Sequence, residues 1–329
     1  YDAVVVGAGP NGLAAAVEVA RRGGRVVVFE AADTIGGGTR TEELTGAGFR
    51  HDVCSAVHPL GAASPFFHSL PLEDHGLEWL HFEIPLTHPL DNGEAAVLHH
   101  SLIETAVDLG PDERRYEKLM GPLVEHFNDL LDDVLGPLVA LPQHPVRLSR
   151  FGVAAMLPAT LLARRFSTDQ AKALLAGLAA HSVAPLDRPF TSAIGIVLGA
   201  AGHVHGWPIA KGGSAAISGA LASYLGDLGG EIVTGHPVES LDALPTADSY
   251  LLDVMPAAAV AMAGDRIGRA ATRLQSWRHG PGVFKVDWAL DTPIPWSDPW
   301  SLRAGTVHVG GTIDEVVAAE EAAHAGRLT

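Results

Sequence analysis

The sequence predicts an α/β fold in which a doubly wound parallel sheet carries an inserted, largely helical region. Two short runs of branched apolar residues, 3–6 and 26–29, are typical of buried parallel strands. A helical pattern of apolar residues separates them, which gives the strand, helix, strand order of a parallel crossover. The 329 residues, of which 47% are hydrophobic, can bury a large core, and this length favours about two domains.

A glycine-rich turn joins the first predicted strand to the helix. Gly7 permits a tight turn, Gly9 lets a diphosphate approach the backbone, and Gly12 brings the helix close to the sheet. The helix N-terminus carries partial positive charge, which favours phosphate. Glu30 ends the second strand, where its carboxylate can accept ribose hydroxyls. The pattern predicts a dinucleotide site formed by Gly7, Gly9, Pro10, Asn11, Gly12 and Glu30.

A second glycine loop follows Glu30 and strengthens this prediction. Residues 36–40 read Gly-Gly-Gly-Thr-Arg, so backbone amides and one cation can surround a diphosphate. An isolated glycine triplet is more often a flexible surface loop, but its position directly after the ribose-binding acid favours phosphate binding. The predicted contacts in this part of the chain are Ala31, Gly37, Gly38, Thr39 and Arg40.

These motifs resemble the FAD-binding start of the flavoproteins that include amine oxidases and phytoene desaturases. Residues 206–214 and 280–288 are similar to the phytoene dehydrogenase-related oxidoreductases. The resemblance implies a Rossmann-like FAD-binding domain of the glutathione reductase type. It also implies a flavin-dependent oxidoreductase or desaturase that removes hydride from a C–H bond. The apolar residues of 61–210 favour an apolar substrate, although core packing explains the same residues equally well. In the resembled family the residue at the position of Val238 packs on the adenine, although an ordinary core valine explains Val238 equally well.

The resembled proteins continue past residue 329 with a strand and a helix that cover the flavin. We expect a chain without that element to leave part of the cofactor uncovered, so its retention of FAD stays open.

The FAD-binding domain is predicted to be discontinuous, with residues 1–60 and 211–264. Residues 61–210, rich in helical patterns, and residues 265–329 are predicted to form the substrate domain.

Local signals predict the elements within these ranges. Ser214 and Ser167 are expected to cap helices, and residues 231–234 and 238–241 are expected to form a hairpin. The other expected elements are strands at 250–254, 283–288 and 306–309, a helix from Pro256, and a helix at 315–325.

Residues 52–60 supply weaker candidates. Ser55 and His58 could line the flavin site, although such residues more often form turns or satisfy the core. Cys54 is expected to be a small buried hydrophobe rather than a flavin anchor. The histidine pairs at 99–100 and at 203 and 205 lack the further ligands of a recognisable metal site, so no metal is predicted. No catalytic residue is assigned.

The composition limits which binding partners and which cellular location are expected. A net charge of −16 argues against nucleic acid, and the single cysteine favours a cytoplasmic location. No apolar stretch reaches the length of a membrane span, but peripheral membrane contact stays open. The oligomeric state is not predicted. Two alternatives also remain: an NAD-dependent dehydrogenase with the same first turn, and a non-catalytic escort-type binding protein on the same fold.

Overall fold

A computed structural model of the chain describes residues 1–136 and 141–327. Short strands alternate with helices in the described residues. The strands are β1 (Ala3–Val6), β2 (Val26–Phe29), β3 (Thr41–Glu42), β4 (His51–Asp52), β5 (Trp79–Leu80), β6 (Ile84–Pro89), β7 (Ala95–Leu98), β8 (Ile209–Ala210), β9 (Glu231–Val233), β10 (Ser249–Leu252) and β11 (Ala304–Val307).

Helices account for most of the remaining regular structure. They are α1 (Pro10–Arg21), α2 (Pro59–Ala62), α3 (Pro65–His68), α4 (Leu102–Asp108), α5 (Glu113–Glu125), α6 (Phe127–Val134), α7 (Pro145–Ala155), α8 (Ala159–Ala163), α9 (Asp169–Ala180), α10 (Thr191–Val204), α11 (Ala215–Asp227), α12 (Pro256–Ala263), α13 (Ala270–Gln275) and α14 (Ile313–His324).

The first sheet combines strands from distant parts of the chain. Its order is β10-β1-β2-β9, and all neighbouring strands are parallel. Val5 of β1 packs with Leu13 of α1 and Leu221 of α11 on one face. Val4 packs with Val238 on the other face. Because successive side chains of a strand point to opposite faces, this sheet is buried on both sides. The predicted α/β fold class is confirmed.

A second, three-stranded sheet lies among the helices. Its strands β6 and β7 come from the part of the chain between β2 and β9, and β11 follows β10 in the sequence. Strands β6 and β7 form an antiparallel hairpin, and β11 pairs parallel to β6. Helix α9 packs against β6, β7 and α10. The core of this part joins β6 and β7 to helices α4 to α10. Residues 61–210 therefore contain strands as well as the predicted helices, and the two domain boundaries stay a prediction.

The predicted hairpin at 231–241 is wrong. Strand β9 pairs parallel to β2, and residues 238–241 form no strand. After β9, the amides of Gly235 and His236 donate to the carbonyls of Ala32 and Glu30, so the chain stays beside the end of β2. The turn composition at 235–237 ends β9, but its partner is the free edge of the parallel sheet rather than a second hairpin strand.

The strand predicted at 283–288 is also wrong. The segment is irregular, and its side chains include Phe284 with 93% of its surface exposed. Alternating apolar residues form a strand only where a neighbouring strand supplies hydrogen bonds. The other expected elements are confirmed as β10, α12, β11 and α14, with bounds shifted by up to two residues.

The predicted cap at Ser167 is wrong, and the predicted cap at Ser214 is right in position only. Thr168 rather than Ser167 caps α9, where its hydroxyl accepts from Ala171. Ser214 precedes α11, but its hydroxyl makes no capping bond and donates instead to the carbonyl of Ser55. Among the helices of the described residues, none combines the length and the apolar character needed to cross a bilayer.

Candidate dinucleotide-binding site

The turn after β1 requires glycine for steric reasons. Gly7 has a φ of +104°, and a Cβ added there would lie 2.4 Å from the carbonyl oxygen of Asp253. A Cβ on Gly12 would lie 2.0 Å from the carbonyl oxygen of Gly7. Helix α1 therefore lies directly against the turn, as the glycine spacing predicts.

Gly9, Pro10 and Asn11 form the start of α1. Gly9 is the residue before the helix, with extended backbone, and Pro10 occupies a first-turn position that needs no N–H. Asn11 is exposed, and its main-chain amide belongs to the first turn, which has no acceptor within the helix. This N-terminus can therefore donate hydrogen bonds to a phosphate.

Asp253 is not among the residues predicted from the sequence, yet it lies beside this turn. It follows β10, and its carboxylate accepts from the amide of Gly12 at 2.8 Å. The same oxygen lies 3.1 Å from the position that a Cβ on Gly9 would take. Its position directly after a buried strand could have indicated this role. The carboxyl ends of neighbouring parallel strands lie at the same edge of a sheet, where the glycine turn also lies.

Glu30 is held by the backbone on both sides. One carboxylate oxygen accepts from the amide of Ala8 at 2.7 Å, and the other accepts from the amide of Ala32 at 2.9 Å. Each carboxylate oxygen can accept a further hydrogen bond, so Glu30 can still bind a hydroxyl. The exposed Ala31 lies between Glu30 and Ala32, beside this acid.

The glycine loop folds over the first turn. The amide of Gly36 donates to the carbonyl of Ala8 at 2.8 Å. A Cβ on Gly37, whose φ is +52°, would lie 3.2 Å from the Cα of Gly9. The two glycine segments therefore approach each other closely through backbone atoms, an approach that a side chain at Gly37 would obstruct.

The polar side chains of the loop make contacts within it. Thr39 is buried, and its hydroxyl donates to the carbonyl of Gly36 at 2.8 Å. Arg40 donates from Nε to the carbonyl of Gly37 at 3.2 Å and pairs with Glu42. Gly38 is exposed. Thr39 thus stabilises the loop, whereas the half-buried Arg40 keeps part of its guanidinium accessible.

Ser55 and His58 belong to a hydrogen-bond network that anchors the start of α11. The hydroxyl of Ser214 donates to the carbonyl of Ser55 at 2.6 Å, so His58 donates from Nε2 to that hydroxyl at 2.7 Å. Burial lowers the pKa of His58, which favours this neutral form. The amide of Ser214 donates to Asp52. Contact of Ser55 or His58 with a flavin stays a prediction.

The structure also places Val238, predicted to contact adenine, and Cys54, predicted to be buried. Val238 is buried on the second face of the sheet with Val27 and Phe29, so its side chain is part of the core. Its predicted contact with adenine stays a prediction. Cys54 is exposed, so the expectation that it is buried is wrong. It lies next to the loop, with its sulfur 4.0 Å from the Cβ position of Gly38.

The histidine pairs at 99–100 and at 203 and 205 form hydrogen bonds within the protein. His203 donates from Nδ1 to the carbonyl of His99 and accepts from the hydroxyl of Tyr116. His205 bonds to Asn128. Across the described ranges, no group of three or more His, Cys, Asp or Glu residues is placed to hold a metal ion.

Comparison with known proteins agrees with this geometry. Residues 5–70 match the family model of an NAD(P)-binding Rossmann-like domain. The pyridine nucleotide-disulfide oxidoreductase domain-containing protein 2 of Mus musculus is 31% identical over 286 residues, covering 72% of this chain and 48% of that protein. The chain thus spans about half the length of this relative.

One further sequence relative and one solved structure are also similar to this chain. One of the limonene dehydrogenase subunits of Castellaniella defragrans is 30% identical over 136 residues, which are 41% of this chain and 24% of that protein. The structure of a putrescine oxidase variant aligns with a TM-score of 0.51 at 21% identity, covering 83% of this chain and 62% of that one. The chain therefore contains an NAD(P)-binding Rossmann-like domain, and its fold is similar to that of the putrescine oxidase structure.

Proposed function

We propose that the protein is an FAD-dependent oxidoreductase that removes hydride from a C–H bond of an apolar small molecule. The observation that carries this proposal is the close approach of the loop backbone at Gly37 to Gly9, with the carboxylate of Glu30 held beside the same turn by the amide of Ala8. A single glycine turn would serve NAD or FAD alike. The second glycine loop, tied to Ala8 by a hydrogen bond, favours FAD over NAD because it adds main-chain donors around the diphosphate.

Each part of the site has a distinct task in binding. The first turn of α1, including the amide of Asn11, would hold the diphosphate, and Glu30 would accept the ribose hydroxyls. Arg40 would add positive charge from the loop. When bound, FAD supplies the chemistry as hydride acceptor, so the chain needs only to orient the donor carbon and exclude water.

The proposed substrate class rests on two observations. The part of the chain between β2 and β9 has an extensive core of aliphatic and aromatic side chains. The limonene dehydrogenase of Castellaniella defragrans, one chain of which is a relative over part of this sequence, is named for an apolar terpene. An apolar donor also matches a site in which no catalytic acid or base is assigned. Phytoene dehydrogenase-like activity is the narrower form of this proposal.

The visible spectrum of the purified protein tests the proposal. We expect a yellow protein that releases FAD on denaturation and is bleached anaerobically by apolar C–H donors such as limonene. A colourless protein that releases NAD would indicate the dehydrogenase alternative. A colourless protein that releases no cofactor, even after incubation with excess FAD, would indicate the escort alternative.

Replacing Gly9 with leucine tests the assigned turn. The backbone at Gly9 is extended, so leucine can adopt it, but its Cβ would lie 3.1 Å from the carboxylate of Asp253 and the side chain would crowd the start of the turn. We expect the bound FAD per chain to fall about tenfold or more, since a lost contact of 1.4 kcal/mol already has that effect. Gly219→Leu is the matched control, because Gly219 is exposed on α11 with nothing within 4 Å. Equal FAD content in both variants would contradict the assignment.

Replacing Asp253 with asparagine tests the charge beside the turn. Asparagine keeps an acceptor for the amide of Gly12 but removes a negative charge close to the expected diphosphate. We expect the affinity for FAD, measured by quenching of flavin fluorescence, to rise about fivefold, because like charges 4 to 5 Å apart in water cost about 1 kcal/mol. Asp248→Asn, an exposed acid before the same strand, is the control. Weaker binding by Asp253→Asn alone would show that its carboxylate contacts the cofactor directly.

A further inference from the structure

A solvent-open cavity of about 800 Å³ lies in the helical part of the molecule, between α5, α7 and the connection from α8 to α9. Apolar side chains form its floor, among them Leu119, Leu123, Phe151 and Phe166. Phe151 and Phe166 are buried, whereas Leu119 and Leu123 are half-buried. The cavity therefore presents a continuous apolar surface that water covers only in part.

The rim of this cavity is cationic. Four of its eleven lining residues are basic and none is acidic, the four being Arg115, Lys118, Arg150 and Arg165. This distribution departs from the composition of the chain, which has 22 basic and 38 acidic residues. A negatively charged protein thus places a group of cations around one apolar cavity.

Three of these cations have no carboxylate partner within residues 1–136 and 141–327. Arg115 is engaged by Asp112 and Ser167. Lys118, Arg150 and Arg165 form no ion pair in that part of the chain, and their side chains are exposed. Because they face solvent beside the apolar floor, they can bind an anion at little cost in desolvation.

A small apolar void of about 20 Å³ lies below the floor, between α5, α9 and α10. It shares Leu119 and Phe166 with the cavity as lining residues, and the buried Tyr116, whose hydroxyl is hydrogen-bonded to His203, also lines it. The void has about the volume of a single water molecule, so the room for an alkyl chain lies in the larger cavity.

We propose that this cavity binds a single-chain anionic amphiphile, a medium- or long-chain alkyl carboxylate. Its headgroup lies between the guanidinium groups of Arg150 and Arg165, which can bind a carboxylate with paired hydrogen bonds. Its alkyl chain lies on the half-buried Leu119 and Leu123 and removes their remaining apolar surface from water. The proposal does not depend on FAD, because the cavity includes no residue of the β10-β1-β2-β9 sheet or of the glycine turns.

Isothermal titration of the full-length protein with decanoate tests the proposal. We expect one site per chain, with decan-1-ol binding about tenfold more weakly because it lacks the charge. The double variant Arg150→Gln/Arg165→Gln should lose about tenfold or more in affinity for decanoate and little for decan-1-ol. Arg269→Gln/Arg273→Gln removes the same charge from exposed positions on and next to α13 and should bind as the unchanged protein does.

A charge introduced at the rim gives a second test that does not disturb the core. Val153 lines the cavity and is 69% exposed, so Val153→Glu should fold normally, which circular dichroism checks, and should weaken decanoate binding. Equal affinities for decanoate and decan-1-ol, or equal losses in the cavity and α13 variants, would overturn the proposal. Binding to vesicles of phosphatidylcholine and phosphatidylglycerol without binding of monomeric decanoate would also overturn it, in favour of a membrane surface.

Discussion

Replacing Asp112 with alanine is expected to lower the free energy of unfolding by about 4 kcal/mol, since removing one partner from a buried charged network costs about 3 to 5 kcal/mol. Asp112 is fully buried. Its carboxylate accepts from the amides and hydroxyls of Ser167 and Thr168 at 2.7 to 3.0 Å, and it pairs with Arg115. Alanine would leave these donors without an acceptor at the start of α9, the helix that packs on both β6 and α10.

Urea unfolding followed by circular dichroism measures this loss. Asp169→Ala is the matched control, because Asp169 lies in the first turn of the same helix but its carboxylate is exposed. We expect the control to lose no more than about 1 kcal/mol, the usual size of an exposed charge at a helix N-terminus. Equal losses in the two variants would show that the network around Asp112 adds no more than helix capping.

The same network makes the free energy of unfolding depend on pH in the acidic range. Burial alone would raise the pKa of Asp112, but hydrogen bonds from Thr168, Arg115 and Ser167 outweigh burial and lower that pKa to about 2. A lowered carboxylate pKa contributes stability that is complete above the unfolded value near 4. This contribution is lost as the pH falls from about 4 towards 2.

The contrast between the predicted turn and this network shows which parts of the fold a sequence reveals. Gly7 and Gly12 lie in one turn, and backbone atoms of Asp253 and of Gly7 leave no room there for a side chain. The glycine spacing, together with the flanking strand pattern and Glu30, therefore predicts strand, turn, helix and a dinucleotide ligand. Asp112 meets its partners 55 and 56 residues further along the chain, and no local pattern predicts that meeting.

Asp253 lies between these two cases. It bonds to Gly12 across 241 residues, yet its position after a buried strand could have indicated it once the sheet was predicted. The errors at 231–241 and 283–288 have a different cause. Alternating apolar residues and turn composition describe a strand and a reversal, but not which strand edge is free to pair.

A second large effect is expected from histidines whose pKa values are lowered by burial. The free energy of unfolding should already fall at a pH well above the range in which carboxylates protonate. Burial lowers the pKa of His308 to about 3 and that of His203 to about 4. Burial also lowers the pKa values of His58, His88 and His181. These histidines are neutral in the folded protein, and His203 uses both ring nitrogens in hydrogen bonds. Protonation would break its bond from Tyr116, because the accepting nitrogen would become a donor.

The direction follows from proton binding. Below about pH 6.5 the unfolded chain takes up protons that the folded chain excludes, so stability is complete above that pH and falls as the pH falls towards the folded pKa. For His203 and His308, the loss at about pH 5 is about 2 kcal/mol each. Urea midpoints measured between about pH 8 and 5 should therefore fall steadily, because unfolded-state protonation grows over this range.

Removing one of these groups should flatten the profile. His203→Gln lowers stability at neutral pH but removes one titrating group, so its loss between about pH 8 and 5 should be about 2 kcal/mol smaller. His279→Gln is the control at an exposed site and should leave the slope unchanged. A urea midpoint independent of pH in this range would mean that the histidines around His203 and His308 are hydrated in the folded protein. For His203 the structure argues against such hydration, because the side chain is buried and both ring nitrogens are hydrogen-bonded to protein atoms.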